Sequence, residues 1–172
     1  MAKTRRVAVL VDEMYQVLEV WYPYYRLIEA GFQVDIIAAE ANREYKSKEG
    51  YACTSQVAAR DAKAADYQCL VIPGGYAPDF MRRSRDVIRF TSEMADAGRT
   101  VAAICHGGWL LCSTKALKGR KATCFMAIKD DIINAGADYV DEECVVDGNL
   151  ITARKPGDLP AFCKAIIRAI GN

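Results

Sequence analysis

The chain has 172 residues, of which 52% are hydrophobic, and this is enough apolar material to bury the core of one domain. Lysine and arginine (23) balance aspartate and glutamate (22), so the net charge of +1 gives no electrostatic basis for specific nucleic-acid binding or for attraction to an anionic membrane. No stretch approaches the ~18 apolar residues of a membrane span, and no signal-peptide core follows the N-terminus. We therefore expect a cytoplasmic protein that contacts neither membrane nor specific nucleic acid.

Apolar β-branched runs alternate with amphipathic stretches along the chain, which is typical of an α/β protein. The elements predicted before residue 100 are a strand over 5–11, a helix over 17–30, a strand over 32–38, a hairpin or edge strand over 50–57, a strand over 66–72 and a helix over 84–97. Those predicted afterwards are a strand over 100–104, a helix over 106–113, an extended segment over 122–124, a helix over 129–135, strands over 144–146 and 150–152, and a helix over 159–170. Residues 147–149 (Asp-Gly-Asn) predict a hairpin turn. This order of elements predicts an α/β sandwich with a largely parallel sheet.

Three groups of chemically useful residues follow predicted strands. They are the segment from Asp12 to Glu19, the pair Gly74–Gly75 and the pair Cys105–His106. Because ligands of open parallel sheets bind at the carboxyl ends of the strands, we expect these groups to meet in one site.

Cys105 ends an apolar strand and is followed by His106, a glycine pair and an apolar helical stretch. This order predicts a nucleophile elbow, a sharp strand-to-helix turn that lifts one side chain clear of the sheet. Since the thiol would lie near a helix N-terminus, we expect it to be partly exposed, with its pKa lowered by backbone amides. Such a thiol would also oxidise readily.

The remaining cysteines and the histidine narrow the chemistry further. Six other cysteines match no zinc or CxxC spacing, which predicts packing residues in a reducing compartment and no metal site. His106 is the only histidine, so any Cys–His chemistry within the chain uses its pair with Cys105. Its side chain is a candidate base, although adjacent side chains on a turn often point apart. Its backbone N–H is a candidate oxyanion-hole donor in either case.

Gly75 and Glu19 are the other candidates, and each has a simpler explanation. The Gly75 N–H could be a second oxyanion donor, whereas Pro-Gly-Gly alone would also suit a plain turn. Glu19 has apolar neighbours, and a carboxyl buried among them would have a raised pKa and could donate a hydrogen bond to the thiolate. Taken alone, however, the sequence favours a solvated helix charge. Asp12, Glu13 and Asp79 are further acids near strand ends.

Several ordered motifs together resemble the ThiJ/PfpI superfamily, and most closely its PfpI-type branch. They are Ala103-Ile-Cys-His-Gly107, Ile72-Pro-Gly-Gly-Tyr-Ala-Pro-Asp79, Ile128-Lys-Asp-Asp-Ile-Ile-Asn-Ala-Gly136 and the segment from Val146 to Pro160. The resemblance implies a flavodoxin-like three-layer α/β sandwich, with one class I glutamine amidotransferase-like domain over residues 1–172. It also implies a nucleophilic Cys105 with Glu19 beside it. No metal or nucleotide motif accompanies these residues, so we expect no cofactor.

The PfpI-type branch implies His106 as the partner of Cys105 and assembly as homodimers or trimers of dimers. In that branch an acid after the Gly-Gly motif reaches the Cys–His pair of a neighbouring subunit. The acid is typically Glu, and the matching residue here is Asp79, which is one methylene shorter. A tyrosine that precedes the Ile-Lys-Asp-Asp motif in the family corresponds to Phe125, which cannot donate a hydrogen bond.

Three functions remain open at this point. The leading hypothesis is a cofactor-independent glyoxalase or deglycase, in which Cys105 attacks a small aldehyde or an early glycation adduct, backbone amides hold the oxyanion and Glu19 moves a proton. The second is an oligomeric peptidase that acts on peptides with Cys105, His106 and the Asp79 of a neighbour. The third is a redox-sensing or chaperone-like stress protein whose Cys105 oxidises.

Overall fold

A seven-stranded sheet forms the centre of the computed structural model, which describes residues 5–171. In chain order the strands are β1 (Arg6–Leu10), β2 (Gln33–Ala38), β3 (Glu44–Lys46), β4 (Ala52–Thr54), β5 (Val57–Ala58), β6 (Cys69–Ile72), β7 (Thr100–Ile104), β8 (Lys121–Ala122), β9 (Asp138–Tyr139), β10 (Cys144–Asp147) and β11 (Leu150–Ala153). The main sheet has the order β10-β11-β7-β6-β1-β2-β5, and only its β10–β11 pair is antiparallel. Strands β3 and β4 form a separate hairpin, and β8 pairs with β9.

Helices cover both faces of this sheet. They are α1 (Val17–Glu29), α2 (Ala77–Met81), α3 (Arg85–Asp96), α4 (Gly108–Cys112), α5 (Lys129–Asn134) and α6 (Leu159–Ile170). The sheet grows from β1 to β2 on one side and from β6 to β7 on the other, so right-handed crossovers place α1 and α3 on opposite faces. Helix α6 packs against α1. The predicted three-layer α/β sandwich with a mostly parallel sheet is thus confirmed.

Most predicted elements are present, and the differences lie in short segments. The hairpin predicted within 50–57 pairs β4 with β3, and β3 is not predicted because it is a three-residue strand with charged ends. The strand predicted from Asp66 begins at Cys69, since a 3₁₀ turn precedes it. The helix predicted from His106 begins at Gly108 for the same reason. The hairpin turn between β10 and β11 is confirmed, with Gly148 at a φ of 56°.

Two features of the fold define where a site can form. Strands β1, β6 and β7 are adjacent and almost completely buried, because both of their faces are covered by helices. The chain leaves β1 in one direction and β6 in the other, so a crevice opens at their carboxyl ends. Within residues 5–171, no helix is both long and apolar enough to cross a bilayer.

Candidate active site

Cys105 occupies the sharp turn between β7 and α4. Its φ is 60°, a left-handed conformation that is costly for a residue with a side chain and that is found mostly at functional turns. The turn is tight because Gly107 lies against β6: a Cβ on Gly107 would be 2.5 Å from the carbonyl oxygen of Ile72. The strand, the strained residue and the following helix have the geometry that the sequence predicts for a nucleophile elbow.

Gly74 is the point at which the three groups of candidate residues meet. A Cβ on Gly74 would lie 2.8 Å from both Oε2 of Glu19 and the backbone nitrogen of His106, and 2.9 Å from Cβ of Cys105. Gly75 has a φ of 74°, and a Cβ there would be 2.5 Å from the Met14 carbonyl oxygen. The Gly-Gly pair is therefore required by close approach of the backbone to the site, and not only by a turn.

Glu19 is fully buried beside the elbow. Its Oε2 accepts a hydrogen bond of 2.7 Å from the Gly74 N–H, whereas its Oε1 is buried without a hydrogen-bond partner among residues 5–171. Burial raises the pKa of Glu19 to about 7, and the Gly74 amide opposes this shift only in part. The carboxyl is therefore not a solvated helix charge, and at neutral pH it can both hold and release a proton.

The Cys105 thiol is less exposed than the strand-to-helix pattern predicts. The residue is 8% exposed, and burial together with the Glu19 carboxylate raises the pKa of the thiol to about 12. The backbone amides of His106 and Gly75 act in the opposite direction. The prediction of a partly exposed thiol with a lowered pKa is wrong, because a strand-to-helix pattern reveals nearby amides but not the covering carboxyl. This lowering effect of the two amides is the one expected of N–H groups close enough to the sulfur to bind a developing anion.

The side chain of His106 also faces the thiol. Its Nδ1 lies 3.3 Å from Sγ of Cys105. Burial, with a smaller effect from the Lys48 charge, lowers the pKa of His106, so the imidazole is neutral at pH 7 and can accept the thiol proton. Phe125, in the position where the family resemblance implies tyrosine, stacks on the imidazole at 5.0 Å between centroids.

A cavity of about 270 Å³ opens onto the sulfur. It is lined by Gln16, Lys48, Gly75, Tyr76, Cys105, His106, Phe125 and Pro156. Lys48 is a lining residue that the sequence does not predict. It reaches the cavity because two backbone hydrogen bonds join its hairpin to the loop after β1: Met14 N–H donates to the Lys46 carbonyl (2.7 Å), and Lys48 N–H donates to the Tyr15 carbonyl (3.0 Å). No local sequence signal indicates this long-range contact.

The other predicted residues lie outside the cavity. Asp79 is exposed on α2, pairs with Arg83, and forms no hydrogen bond to Cys105 or His106 within the described part of the chain. Asp12 is buried at the end of β1, where burial raises its pKa to about 6, and Glu13 pairs with Arg43. Four of the other six cysteines are buried and two are half-buried. No cluster of three metal-ligating side chains occurs within residues 5–171.

The chain is similar over nearly its whole length to several known proteins. It is 38% identical over 165 residues to a deglycase of Pyrococcus abyssi (96% of this chain and 99% of that protein), and 38% identical over 159 residues to a Bacillus subtilis protein provisionally named as the cysteine protease YraA (92% and 94%). It also superposes with a TM-score of 0.95 and 43% identity on a solved structure from Anabaena variabilis that contains DJ-1/ThiJ/PfpI-like and ferritin-like domains. The match covers 96% of this chain and 48% of that two-domain chain.

Residues 5–169 match the DJ-1/PfpI family. The match includes the Cys105 elbow, Glu19 and the Gly74–Gly75 pair, which the fold brings together at one edge of the sheet. From its sequence and its fold, this chain belongs to the DJ-1/PfpI family.

Proposed function

We propose that this protein is a cofactor-independent deglycase that also acts as a glyoxalase on free α-oxoaldehydes. The observation that carries the proposal is the convergence at Gly74 of a thiol, a buried carboxyl with a pKa of about 7 and two backbone N–H groups. A nucleophile, a proton carrier and an oxyanion site are the groups that this reaction requires.

In the first step, Sγ of Cys105 forms a bond to the aldehyde carbon. The carbonyl π electrons move to oxygen, where the N–H groups of Gly75 and His106 stabilise the negative charge. The neutral imidazole of His106 accepts the thiol proton at Nδ1 and passes it to the oxyanion, so the product is a hemithioacetal. The high pKa of the thiol makes this base necessary, because little thiolate exists before the substrate binds.

In the second step, Glu19 moves a proton between two adjacent carbons. Its carboxylate removes the proton from the former aldehyde carbon, and the resulting enediol is protonated at the neighbouring carbon by the same group. A pKa of about 7 suits a group that must accept and then donate. The product is a thioester of a 2-hydroxy acid, and water then cleaves its C–S bond to release the acid and restore the thiol.

A glycated side chain enters the same route at the first step, in place of the free aldehyde, and gives the same hemithioacetal. In an early adduct, the former aldehyde carbon carries a hydroxyl and the nitrogen of a lysine or arginine. Attack by Sγ forms the C–S bond and breaks the C–N bond, and the released amine or guanidine takes the proton. The cavity of about 270 Å³ suits the short adduct, with the remainder of the side chain extending toward solvent.

The peptidase is the second candidate, and the Cys105–His106 contact of 3.3 Å favours it. It needs an assembly that brings Asp79 of a neighbour to His106, because Asp79 of the same chain is exposed and paired with Arg83. The stress-sensor hypothesis is less well supported, since a buried thiol with a raised pKa is a poor target for peroxide.

A test of the proposal is turnover of methylglyoxal to lactate without glutathione, together with release of free amine from methylglyoxal-treated N-acetyl-lysine. We expect Cys105→Ser to lower kcat/KM by at least ~10³-fold, since the nucleophile is lost. Cys144→Ser, at a half-buried thiol on β10, is the matched control and should retain the wild-type rate. Absence of turnover by the wild type, or equal turnover by Cys105→Ser, would contradict the proposal.

A further inference from the structure

Within residues 5–171, no acid or amide of the same chain holds the ring nitrogen of His106 that faces away from Cys105. In Cys–His and Ser–His sites, an acid or amide typically holds the ring nitrogen that does not face the nucleophile. Here Nδ1 faces Sγ of Cys105 at 3.3 Å, and Nε2 has no hydrogen-bond partner among residues 5–171. Within one chain, the contacts that favour the ring orientation presenting Nδ1 to the sulfur are therefore of another kind.

Two aromatic rings restrict the imidazole instead. Phe125 is stacked on it, with 5.0 Å between centroids and 28° between planes. Trp109 meets it edge to face, with 5.1 Å between centroids and 69° between planes. The backbone of Phe125 is itself fixed to the elbow, because its N–H donates to the Cys105 carbonyl (3.2 Å). Stacked and edge-to-face contacts together leave the ring little freedom to rotate.

The indole of Trp109 is anchored at its far end. Its Nε1–H donates a hydrogen bond of 2.8 Å to Oδ2 of Asp131, which joins α4 to the first turn of α5. A hydrogen bond to a carboxylate is stronger than one between neutral groups, so it can hold a half-buried indole in one rotamer. The chain of contacts therefore runs from Asp131 through Trp109 to His106 and Cys105.

We propose that Trp109, held by Asp131, is the positioning residue for His106 within its own chain, independently of any acid that a neighbouring subunit brings to the ring. Its indole does not touch the substrate or the reacting atoms, and acts only by keeping Nδ1 of the imidazole toward the thiol. The kinetic part of this inference rests on the proposed function, whereas the orientation of the ring can be measured without a substrate.

The direct experiment uses the fact that His106 is the only histidine. In protein labelled with ¹⁵N-histidine, one imidazole spin system reports the tautomer, and the rate of Cys105 alkylation by iodoacetamide reports the assistance that the ring gives to the thiol. We expect the wild type to hold mainly the tautomer with hydrogen on Nε2. Asp131→Ala and Trp109→Leu should give mixed tautomers and at least ~5-fold slower alkylation at neutral pH.

The matched control is Asp130→Ala, which removes a neighbouring exposed acid from the same helical turn without touching the indole. It should leave the tautomer and the alkylation rate unchanged. Asp131→Asn keeps a carbonyl acceptor for Nε1–H and should recover at least half of the loss seen in Asp131→Ala. If Trp109→Leu fails to fold, the comparison of Asp131→Ala with Asp130→Ala decides the matter.

With methylglyoxal as substrate, Asp131→Ala should lower kcat about 5-fold with KM within twofold, since positioning a base affects the chemical step. Identical tautomer populations and alkylation rates in Asp131→Ala and Asp130→Ala would overturn the inference. A wild type that turns over no methylglyoxal but shows the expected tautomer and alkylation pattern would contradict the proposed function and leave the positioning role supported.

Discussion

Glu19 and Cys105 are two weak acids that share one buried space, and the carboxylate charge raises the pKa of the thiol. Both approach the position that a Cβ of Gly74 would occupy, at 2.8 Å for Oε2 of Glu19 and 2.9 Å for Cβ of Cys105. Two negative charges this close are unfavourable, so the free site carries at most one of them at neutral pH. The thiol therefore remains protonated until a substrate and His106 are both in place.

Glu19→Gln should change how stability depends on pH. The pKa of Glu19 is about 7 in the folded chain and 4.5 ordinarily, so between these values the folded chain keeps a proton that the unfolded chain has lost. Stability then falls as pH rises through this window, by about 3 kcal/mol in total. The glutamine cannot titrate, yet its carbonyl can still accept from the Gly74 N–H. Measured by urea unfolding, the free energy of unfolding of Glu19→Gln should rise relative to that of the wild type from about pH 4.5 to 7.

The difference in free energy of unfolding between the wild type and Glu19→Gln reports the titration of Glu19 alone. Burial also raises the pKa of Asp12, to about 6, but that group titrates in both proteins and cancels. If the free energies of unfolding of the two proteins change in parallel from about pH 4.5 to 8, the Glu19 carboxyl is already ionised in the folded chain, which would contradict the prediction. Turnover of methylglyoxal by the variant should fall by ~10²-fold or more, because the proton carrier is lost.

The sequence alone predicts the elbow better than its chemistry. A buried strand, Cys105 and a glycine pair form a local pattern, and the strained φ of 60° follows from that pattern. The burial of Glu19 depends on how α1 packs, and the family resemblance indicated it where composition could not. The raised pKa of Cys105, the approach of Lys48 and the Trp109–Asp131 contact each require residues distant in sequence. No local pattern could reveal them.

Gly74→Ala should disable the site. Its new Cβ would lie under 3.0 Å from Glu19, His106 and Cys105 at once, and two of these contacts are with backbone or Cβ atoms that cannot swing away. We expect a loss of stability of about 1–3 kcal/mol and a loss of turnover of at least ~10-fold. Thermal unfolding and lactate formation measure the two effects.

Gly157→Ala is the control for that substitution. No heavy atom lies within 4 Å of a Cβ at Gly157, and its φ is outside the left-handed range. It should therefore change stability by less than about 1 kcal/mol and leave turnover intact. Wild-type activity in Gly74→Ala would show that the backbone there does not define the geometry of the site.

Lys48→Met should raise the pKa values of both His106 and Glu19. The ammonium group lowers the pKa of both His106 and Glu19. Burial has the larger effect on each: it also lowers the pKa of His106, whereas it raises that of Glu19. Its removal should raise both pKa values, so that the imidazole becomes protonated at a higher pH and the acid limb of the rate profile moves upward. Titration of the single histidine signal by NMR measures this shift directly.

Lys46→Met is the matched variant, because Lys46 lies in the same hairpin and does not line the cavity. It should leave the histidine titration where the wild type has it. If both substitutions shift the titration equally, the effect comes from the overall charge of the hairpin. If neither does, the ammonium of Lys48 has no influence on the imidazole.

Asp79→Asn should distinguish glyoxalase activity from peptidase activity. The Asp79–Arg83 pair is exposed and links adjacent turns of one short segment, so its loss should cost less than about 1 kcal/mol. Asp79 lies outside the cavity of its own chain, and methylglyoxal turnover should therefore remain within twofold of the wild type. Any cleavage of a fluorogenic peptide should fall at least ~10-fold, because that activity needs the acid of a neighbouring subunit. Light scattering should show that the variant keeps the oligomer size of the wild type. If both activities then fall equally, Asp79 supports the site of its own chain, contrary to its position outside the cavity.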